Sequence, residues 1–301
     1  MSELLSKVAA VSWEDHAAAD SCKIIILVED TLPSQATELE AKHGLSLLVE
    51  TVSDGETSKI LMDAGPSPEI IAHNRRTLNA RLDDLDIVVL SHGHYDHTDG
   101  LLEALKFTDT PPPAIIHPKT FCPKFAYKPT LTYIGSHVTH QSVEAAGGVL
   151  VPTPSPLPIA KGAIASGEIP LETSFEKAKG FWKVENGGFV EDLMVDEQAL
   201  IIDLRRKGLV IITGCAHRGI VNTVRLAQRI MKNDKVHAIA GGFHLSKADI
   251  NVIDATIREL DAIAPDAIYP CHCSGGKAVA KLAAAFGRRC RQIHTGDVIT
   301  L

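Results

Sequence analysis

The stretch that most constrains this chain is residues 86–100, DIVVLSHGHYDHTDG. Ile87, Val88, Val89 and Leu90 make a short apolar, β-branched run bounded by polar residues, the pattern of a fully buried strand. It stops at Ser91, and His92, His94, Asp96 and His97 follow at once in the spacing H-x-H-x-D-H. Neutral imidazoles suit zinc, manganese and iron, and a carboxylate adds a hard oxygen donor, so this set can serve two adjacent divalent cations. Alternate residues of an extended segment point the same way, which predicts His92 and His94 on one cation and Asp96 and His97 on the second. Gly93 and Gly100 give the backbone freedom to turn beneath them. A solvated polar loop is the plain alternative. Four ligand-type residues within six positions, directly behind a buried strand, argue against it.

The rest of the chain supplies a large α/β framework. Its 301 residues suffice for a sizeable core, and 45% hydrophobic with 22% charged residues is ordinary globular composition. The net charge of −7 gives no overall field for nucleic acid. Six scattered cysteines lack the density of a disulfide scaffold and read as reduced thiols. With no basic start before an apolar core and no apolar run of about 20 residues, the expectation is a cytoplasmic protein that does not engage a membrane. Residues 1–20 read as a short helix or loose extension, with His16 exposed. Strands are expected at 22–28, 43–51 and 59–62, with a turn at Asp54 and Gly55, and a polar helix at 34–42. Helices are expected at 68–78 and at 101–107, the latter directing its N-terminus toward the metals. His117, in PPPAIIHP, reads as structural. Residues 121–188 are irregular and rich in proline and glycine, and are expected to be an inserted substrate cap that includes His137, His140, Phe181 and Trp182. Strands and helices then alternate from 199 to the C-terminus, giving one domain over 21–301.

SHGHYDHTDG, preceded by KILMDAG at 59–65, resembles the metallo-β-lactamase superfamily, whose first metal motif has this form. The resemblance implies a four-layer αββα sandwich, two mixed sheets flanked by helices. It implies that Asp63 orients a metal-bound histidine instead of ligating. YPCHCSG is similar to the superfamily's late motif and identifies His272 as a ligand of the second metal. Cys271 and Cys273 flank it and would point elsewhere in an extended segment, so both read as packing residues. TGCAH lies where the family has a strand ending in Gly-Asp, with the Asp bridging the metals; Cys215 stands there instead, and a thiolate is a good zinc ligand. EDLMVDEQAL lacks the family's middle histidine motif, and His217 is a candidate to replace it.

ILVED, KHGLSLLVE, SGEIP, DEQAL, GCAHRGIVN, GGFHL and PCHCSG together resemble the branch of 7,8-dihydropterin-6-yl-methyl-4-(β-D-ribofuranosyl)aminobenzene 5′-phosphate synthase. That branch implies a small-molecule substrate, phosphorylated in the synthase case, and His244 as a substrate-facing or proton-transfer residue. Two divalent cations, zinc first with manganese or iron as alternatives, would lower the pKa of a shared water and yield hydroxide at neutral pH, with Asp96 moving the proton. The leading expectation is therefore a dinuclear hydrolase of ester or phosphoester bonds. A synthase-like variant would use the same cations to assist departure of pyrophosphate. Ser274, Gly275, Gly276 and Lys277 open a helix and are either an anion site or an ordinary helix start. The competing readings are a mononuclear iron oxygenase on the same fold and a ligand-binding protein without catalysis. Oligomeric state is left open by the sequence.

Overall fold

Three strands near the N-terminus set the frame. Ser21–Val28, Ser46–Ser53 and Glu56–Met62 form an antiparallel meander. The two-residue turn between the last two places Asp54 at φ 51° and Gly55 at φ 81°, the left-handed pair that matches strand twist. Side chains alternate: Ile24, Ile26, Leu47, Val49, Ile60 and Met62 enter one core, while Ile25, Leu27, Leu48 and Leu61 enter another. A sheet buried on both faces needs a layer on each side.

The computed structural model describes residues 17–35, 38–127 and 129–301. One sheet has seven strands, ordered Val298–Thr300, Ser21–Val28, Ser46–Ser53, Glu56–Met62, Ile87–Val89, Ala114–Ile116 and Leu150–Pro152, antiparallel at first and parallel from Glu56–Met62 onward. A second has six, ordered Ala267–Cys271, Val236–Gly242, Gly208–Thr213, Ala199–Leu204, Ala163–Ala165 and Leu157–Ala160, the first three parallel. The two pack face to face, with Ile24, Val49, Ile60 and Val89 meeting Ala165, Leu200, Ile212 and Ala240. Helix Pro68–Thr77 covers the outside of the first sheet, and Ile220–Met231, Ile250–Ile263 and Gly276–Phe286 cover the second. This is the expected αββα order of two mixed sheets between helices.

Several local expectations differ from what the chain does. Among the described residues of 34–42 there is no helix. Their backbone groups go to tertiary partners instead: Glu40 N–H donates to Asn74 Oδ1, the Asn74 amide donates back to the Glu40 carbonyl, and Lys42 N–H donates to the Glu29 carbonyl. The helix after Gly100 shrinks to Leu101–Ala104, with a separate one-turn helix, Tyr95–Thr98, before it. Of the N-terminal extension, residues 1–16, including His16, lie outside the described residues. Ala19 is fully buried, and its N–H donates to the Asp203 carbonyl.

Residues 121–188 are shared among three places. Leu150–Pro152 joins the first sheet, and Leu157–Ala160 and Ala163–Ala165 join the second. Lys124–Tyr127, Leu131–Tyr133 and Phe181–Glu185, with Gly188–Glu191, make a separate four-stranded sheet over the cavity described below. Its inward side packs Ala126 and Phe181 with Ile134, Ala178 and Met194, against Tyr95 of the metal loop. The cross-strand register puts Phe125 opposite both Trp182 and Tyr133, so these aromatic side chains share the face opposite Ala126 and Phe181, with Tyr133 also reaching the rim of the cavity. Among the described residues, no helix is long and apolar enough to cross a membrane.

Candidate metal centre

The centre forms where parallel strands of both sheets end. Glu56–Met62 and Ile87–Val89 lead to Asp63, Ser91 and His92. Gly208–Thr213, Val236–Gly242 and Ala267–Cys271 lead to Cys215, His244 and His272. Asp63 (φ 60°), Ala216 (φ 55°), His244 (φ 48°) and His272 (φ 50°) all hold left-handed backbone. Residues with a Cβ occupy that region at a cost, and such strain persists where the surrounding structure fixes how a side chain is aimed.

Donor atoms converge in two lobes. His92, His94 and His217 offer nitrogens within 4.8 Å of one another, and so do the donor atoms of His92, His97 and Cys215. Asp96 Oδ2 stands 3.7 Å from His97 Nε2 and 3.6 Å from His272 Nε2. Cys215 Sγ lies 3.2 Å from His97 Nε2, between the lobes. The extended alternation predicted for H-x-H-x-D-H holds only to His94, which precedes the helical turn that aims Asp96 and His97. Cys273 also reaches the cluster: its sulfur, Cys215 Sγ and a His272 nitrogen lie within 4.8 Å of one another. That corrects the expectation that both flanking cysteines pack away from the site. His272–Ser274 is a 3-10 turn, so Cys273 swings inward, while Cys271 stays in the inter-sheet core.

Carboxylates fix the rings. Asp63 Oδ2 accepts from His97 Nδ1 at 2.6 Å and from Ser91 Oγ at 2.7 Å, and Ser91 Oγ in turn accepts from His92 Nδ1 at 2.8 Å. Asp30 Oδ1 accepts from His272 Nδ1 at 2.6 Å. With Nδ1–H committed, Nε2 of each ring is left as a donor for a cation. Asp30 Oδ2 also holds His43 Nδ1 at 2.9 Å, and His43 Nε2 faces Asp96 Oδ2 at 3.2 Å. Sequence reasoning missed Asp30 and His43. The available signal was an acid directly behind the first strand, at the end where the other parallel strands deliver ligands.

Burial, reinforced by neighbouring imidazoles, pushes His92, His94 and His217 well below the usual histidine value, which keeps them neutral as ligation requires. Burial also opposes charge on His97, but Asp63 and Asp96 outweigh it and hold it at about 9. The negative surroundings that favour a proton there favour a cation equally. Burial raises the Cys215 thiol. For Cys273 burial acts the same way, but a hydrogen bond from Cys215 and the charge on His272 hold it well below the ordinary thiol value. The donor set therefore fits divalent metal. Among the described residues, buried His94 Nε2 and both ring nitrogens of His217 have no hydrogen-bond partner, an arrangement costly for polar atoms unless a cation takes them.

Glu197, also missed, accepts the His217 and Arg218 N–H groups at 2.5 Å each and so sets the Cys215–His217 turn. Burial raises its carboxyl to about 7. Lys124, on the four-stranded sheet, pairs at 2.8 Å with both Asp192 and Asp196, and Asp196 accepts the Gly93 N–H of the metal loop. His117 Nε2 donates to Glu168 Oε1 at 2.9 Å while its Nδ1 accepts Lys119 N–H, outside the cluster. The Ser274–Lys277 segment is not brought to the donors as an anion cradle. The Ser274 hydroxyl donates to the Cys271 carbonyl and accepts Phe243 N–H, and Gly276 and Lys277 are exposed.

Above the cluster opens a cavity of about 1020 Å³. Its floor is His94, Asp96, Cys215, His217 and His272, with His92 and His97 buried beneath, its wall includes Tyr127, Tyr133 and Phe181, and Lys177, Lys179 and Lys247 stand around it. His244 lies against His217, ring centroids 4.1 Å apart, and 5.7 Å from Phe181.

A strand-end cluster of this composition between two face-to-face mixed sheets defines a metal-dependent class of protein. Residues 58–159 match the model of the β-lactamase superfamily domain. The chain belongs to the metallo-β-lactamase superfamily. It is 35% identical, over 93% of its length and 97% of the relative's, to the 7,8-dihydropterin-6-methyl-4-(β-D-ribofuranosyl)aminobenzene 5′-phosphate synthase of Methanocaldococcus jannaschii. An uncharacterised protein of that organism is 32% identical over 86% of this chain and 93% of its own. Among solved structures, a metal-dependent hydrolase of the β-lactamase superfamily superposes with a TM-score of 0.77 at 27% identity, covering 92% of this chain and 98% of that one. Fold and relatives together imply metal dependence and a small-molecule substrate.

Proposed function

We propose that the protein is a dinuclear metal-dependent enzyme that separates a ring-bearing group from a phosphate or diphosphate leaving group and passes it to a second small molecule. The cavity carries this reading, because it joins a floor of metal donors to an aromatic wall and a surround of lysines. Two divalent cations, zinc first with manganese or iron as alternatives, would be held by His92, His94 and His217 and by Asp96, His97, His272 and Cys215, and would supply Lewis acidity at a phosphate oxygen.

The chain's own groups do the rest. Lys177, Lys179 and Lys247 attract the leaving phosphate, and Tyr127, Tyr133 and Phe181 offer faces for a planar ring while keeping water from it. Asp96, His43 and Asp30 form a hydrogen-bonded line from the donors toward solvent, along which a proton is exchanged with the reacting groups. His244 contacts substrate beside His217. The cap we assign is the four-stranded sheet with the loop carrying Lys177 and Lys179, a smaller unit than the whole of 121–188.

The volume, at the upper end of the roughly 300–1,000 Å³ of single-ligand sites, gives room for donor and acceptor together. The M. jannaschii relative's name describes a product in which a dihydropterin is joined to an aminobenzene, which supports that substrate class. Hydrolysis, with water as acceptor, is the second reading, favoured by the structural neighbour's description. The test is to give the metal-loaded protein a 7,8-dihydropterin-6-methyl diphosphate with and without 4-(β-D-ribofuranosyl)aminobenzene 5′-phosphate, following products by mass spectrometry. A coupled product requiring both supports transfer. Diphosphate release without the acceptor supports hydrolysis, and no turnover of either kind overturns the substrate class.

A further inference from the structure

We infer that Cys273 is a second sulfur donor of the metal centre, paired with Cys215, and that the lobe around His272 is a two-thiol site selective for thiophilic cations. This rests on reading the cluster as a metal centre and goes beyond it, since the superfamily motif accounts for Cys215 alone.

The backbone brings the sulfur in. Had the chain continued extended past Cys271, Cys273 would project away from the His272 side. Instead His272 takes φ 50° and opens a 3-10 turn, and the Cys273 carbonyl is anchored by Ser246 N–H at 3.2 Å. The Cys273 sulfur lies 3.4 Å from the Cys215 carbonyl oxygen, to which it can donate only while protonated, and accepts His244 N–H at 3.3 Å. A backbone N–H directed at sulfur is the kind of outer contact that steadies a ligating thiolate. Gly242 leaves the corner open. A Cβ there would stand 2.7 Å from Cys273 Sγ and 2.4 Å from the Gly214 carbonyl oxygen, so any larger residue would expel the sulfur.

Packing does not explain this placement. Cys271, two residues earlier, is a core thiol among the inter-sheet aliphatic residues, whereas Cys273 lines the cavity. The consequence is an asymmetric centre. His92, His94 and His217 give one lobe nitrogen donors only, while the other adds two thiols to Asp96, His97 and His272. Magnesium requires oxygen ligands in near-octahedral array and gains little from sulfur; zinc, cobalt and iron gain much.

Two measurements test this. Protein stripped with chelator and reloaded with cobalt(II) should show a near-ultraviolet sulfur-to-cobalt charge-transfer band. The band should fall to about half in Cys273→Ser and in Cys215→Ser and vanish in the double variant. A Cys273→Ser protein that binds its full cobalt complement with the parent's band intensity overturns the inference and leaves the metal-centre reading standing. A parent that takes up no cobalt overturns both. The second measurement needs no substitution. Alkylation of the unaltered protein, read residue by residue by mass spectrometry, should slow at Cys273 by at least about tenfold when zinc is added, with Cys122 and Cys290 unchanged and magnesium without effect. Equal labelling of Cys273 with and without zinc, or equal protection by magnesium, overturns the proposal.

Discussion

Floor and roof of one cavity are built on opposite terms. On the floor, His92 and His97 are fully buried, and their rings are held by Asp63, which is itself tied to Ser91 N–H and Ser91 Oγ. On the four-stranded roof, Tyr127 is 71% exposed and Phe189 55%, and the sheet rests on a five-residue apolar cluster. The floor draws its candidate donors from both main sheets and cannot shift one without straining several. The roof can adjust to what lies beneath it. Chemistry that tolerates little misplacement belongs on the first, and recognition of a bulky substrate on the second.

The joint between them is the first place to break the comparison. Lys124 belongs to the roof, and Asp196, which it shares with Asp192, holds the Gly93 N–H of the floor. Lys124→Met strands two buried carboxylates and should cost about 3–5 kcal/mol in urea unfolding, with metal content falling in step. A loss confined to the roof, with metal affinity intact, would show that the two parts are independent.

Glu197 probes the floor through pH. Its folded carboxyl titrates at about 7 against 4.5 for the free group, so the folded state binds more protons between those values. This contribution to stability is therefore lost as pH rises from about 4.5 to about 7, by at most about 3 kcal/mol. Glu197→Gln, which resembles the neutral acid, should flatten that slope in chelator-treated protein, as thermal unfolding across the pH series would reveal. An unchanged slope would remove Glu197 as its source.

Asp63→Asn should leave the fold in place yet weaken zinc binding by about 10–100-fold in competition with a chromophoric chelator, because it loosens His97 and Ser91 together. Equal affinity would mean that the rings are fixed without it. The smallest effects belong to the roof. Tyr127→Ser and Tyr133→Ser should raise KM several-fold with kcat nearly constant. Phe189→Ser, away from the cavity, should alter neither and keep stability within about 0.5 kcal/mol. A loss of zinc affinity in Tyr127→Ser equal to that in Asp63→Asn would abolish the distinction between floor and roof.

How far the sequence reached follows from the same contrast. His92, His94, Asp96 and His97 were readable because they sit within one short segment whose strand is announced by its own apolar run. Among the described residues of 34–42 the expected helix gives way to backbone bonds with Asn74, a partner more than thirty residues away, which override local propensity. The strands at 157–160 and 163–165 are hidden inside a proline-rich segment: the first lies at the sheet edge, where a strand tolerates the residues that also make loops, and the second is only three residues long. An extended backbone past Cys271 would make Cys273 a packing residue, and the left-handed turn at His272 turns it toward the cluster instead.

By itself, then, the sequence determined the layered α/β framework and the central ligand motif, because hydrophobic periodicity and close ligand spacing are local properties of the chain. Only the tertiary structure brings Asp30, His43, Glu197 and Cys273 up to the candidate donors and leaves Lys277 exposed with the Ser274 hydroxyl spent on backbone. Those memberships depend on where separate strand ends meet and which way single backbone turns point, and neither is written in the spacing of residues along the chain.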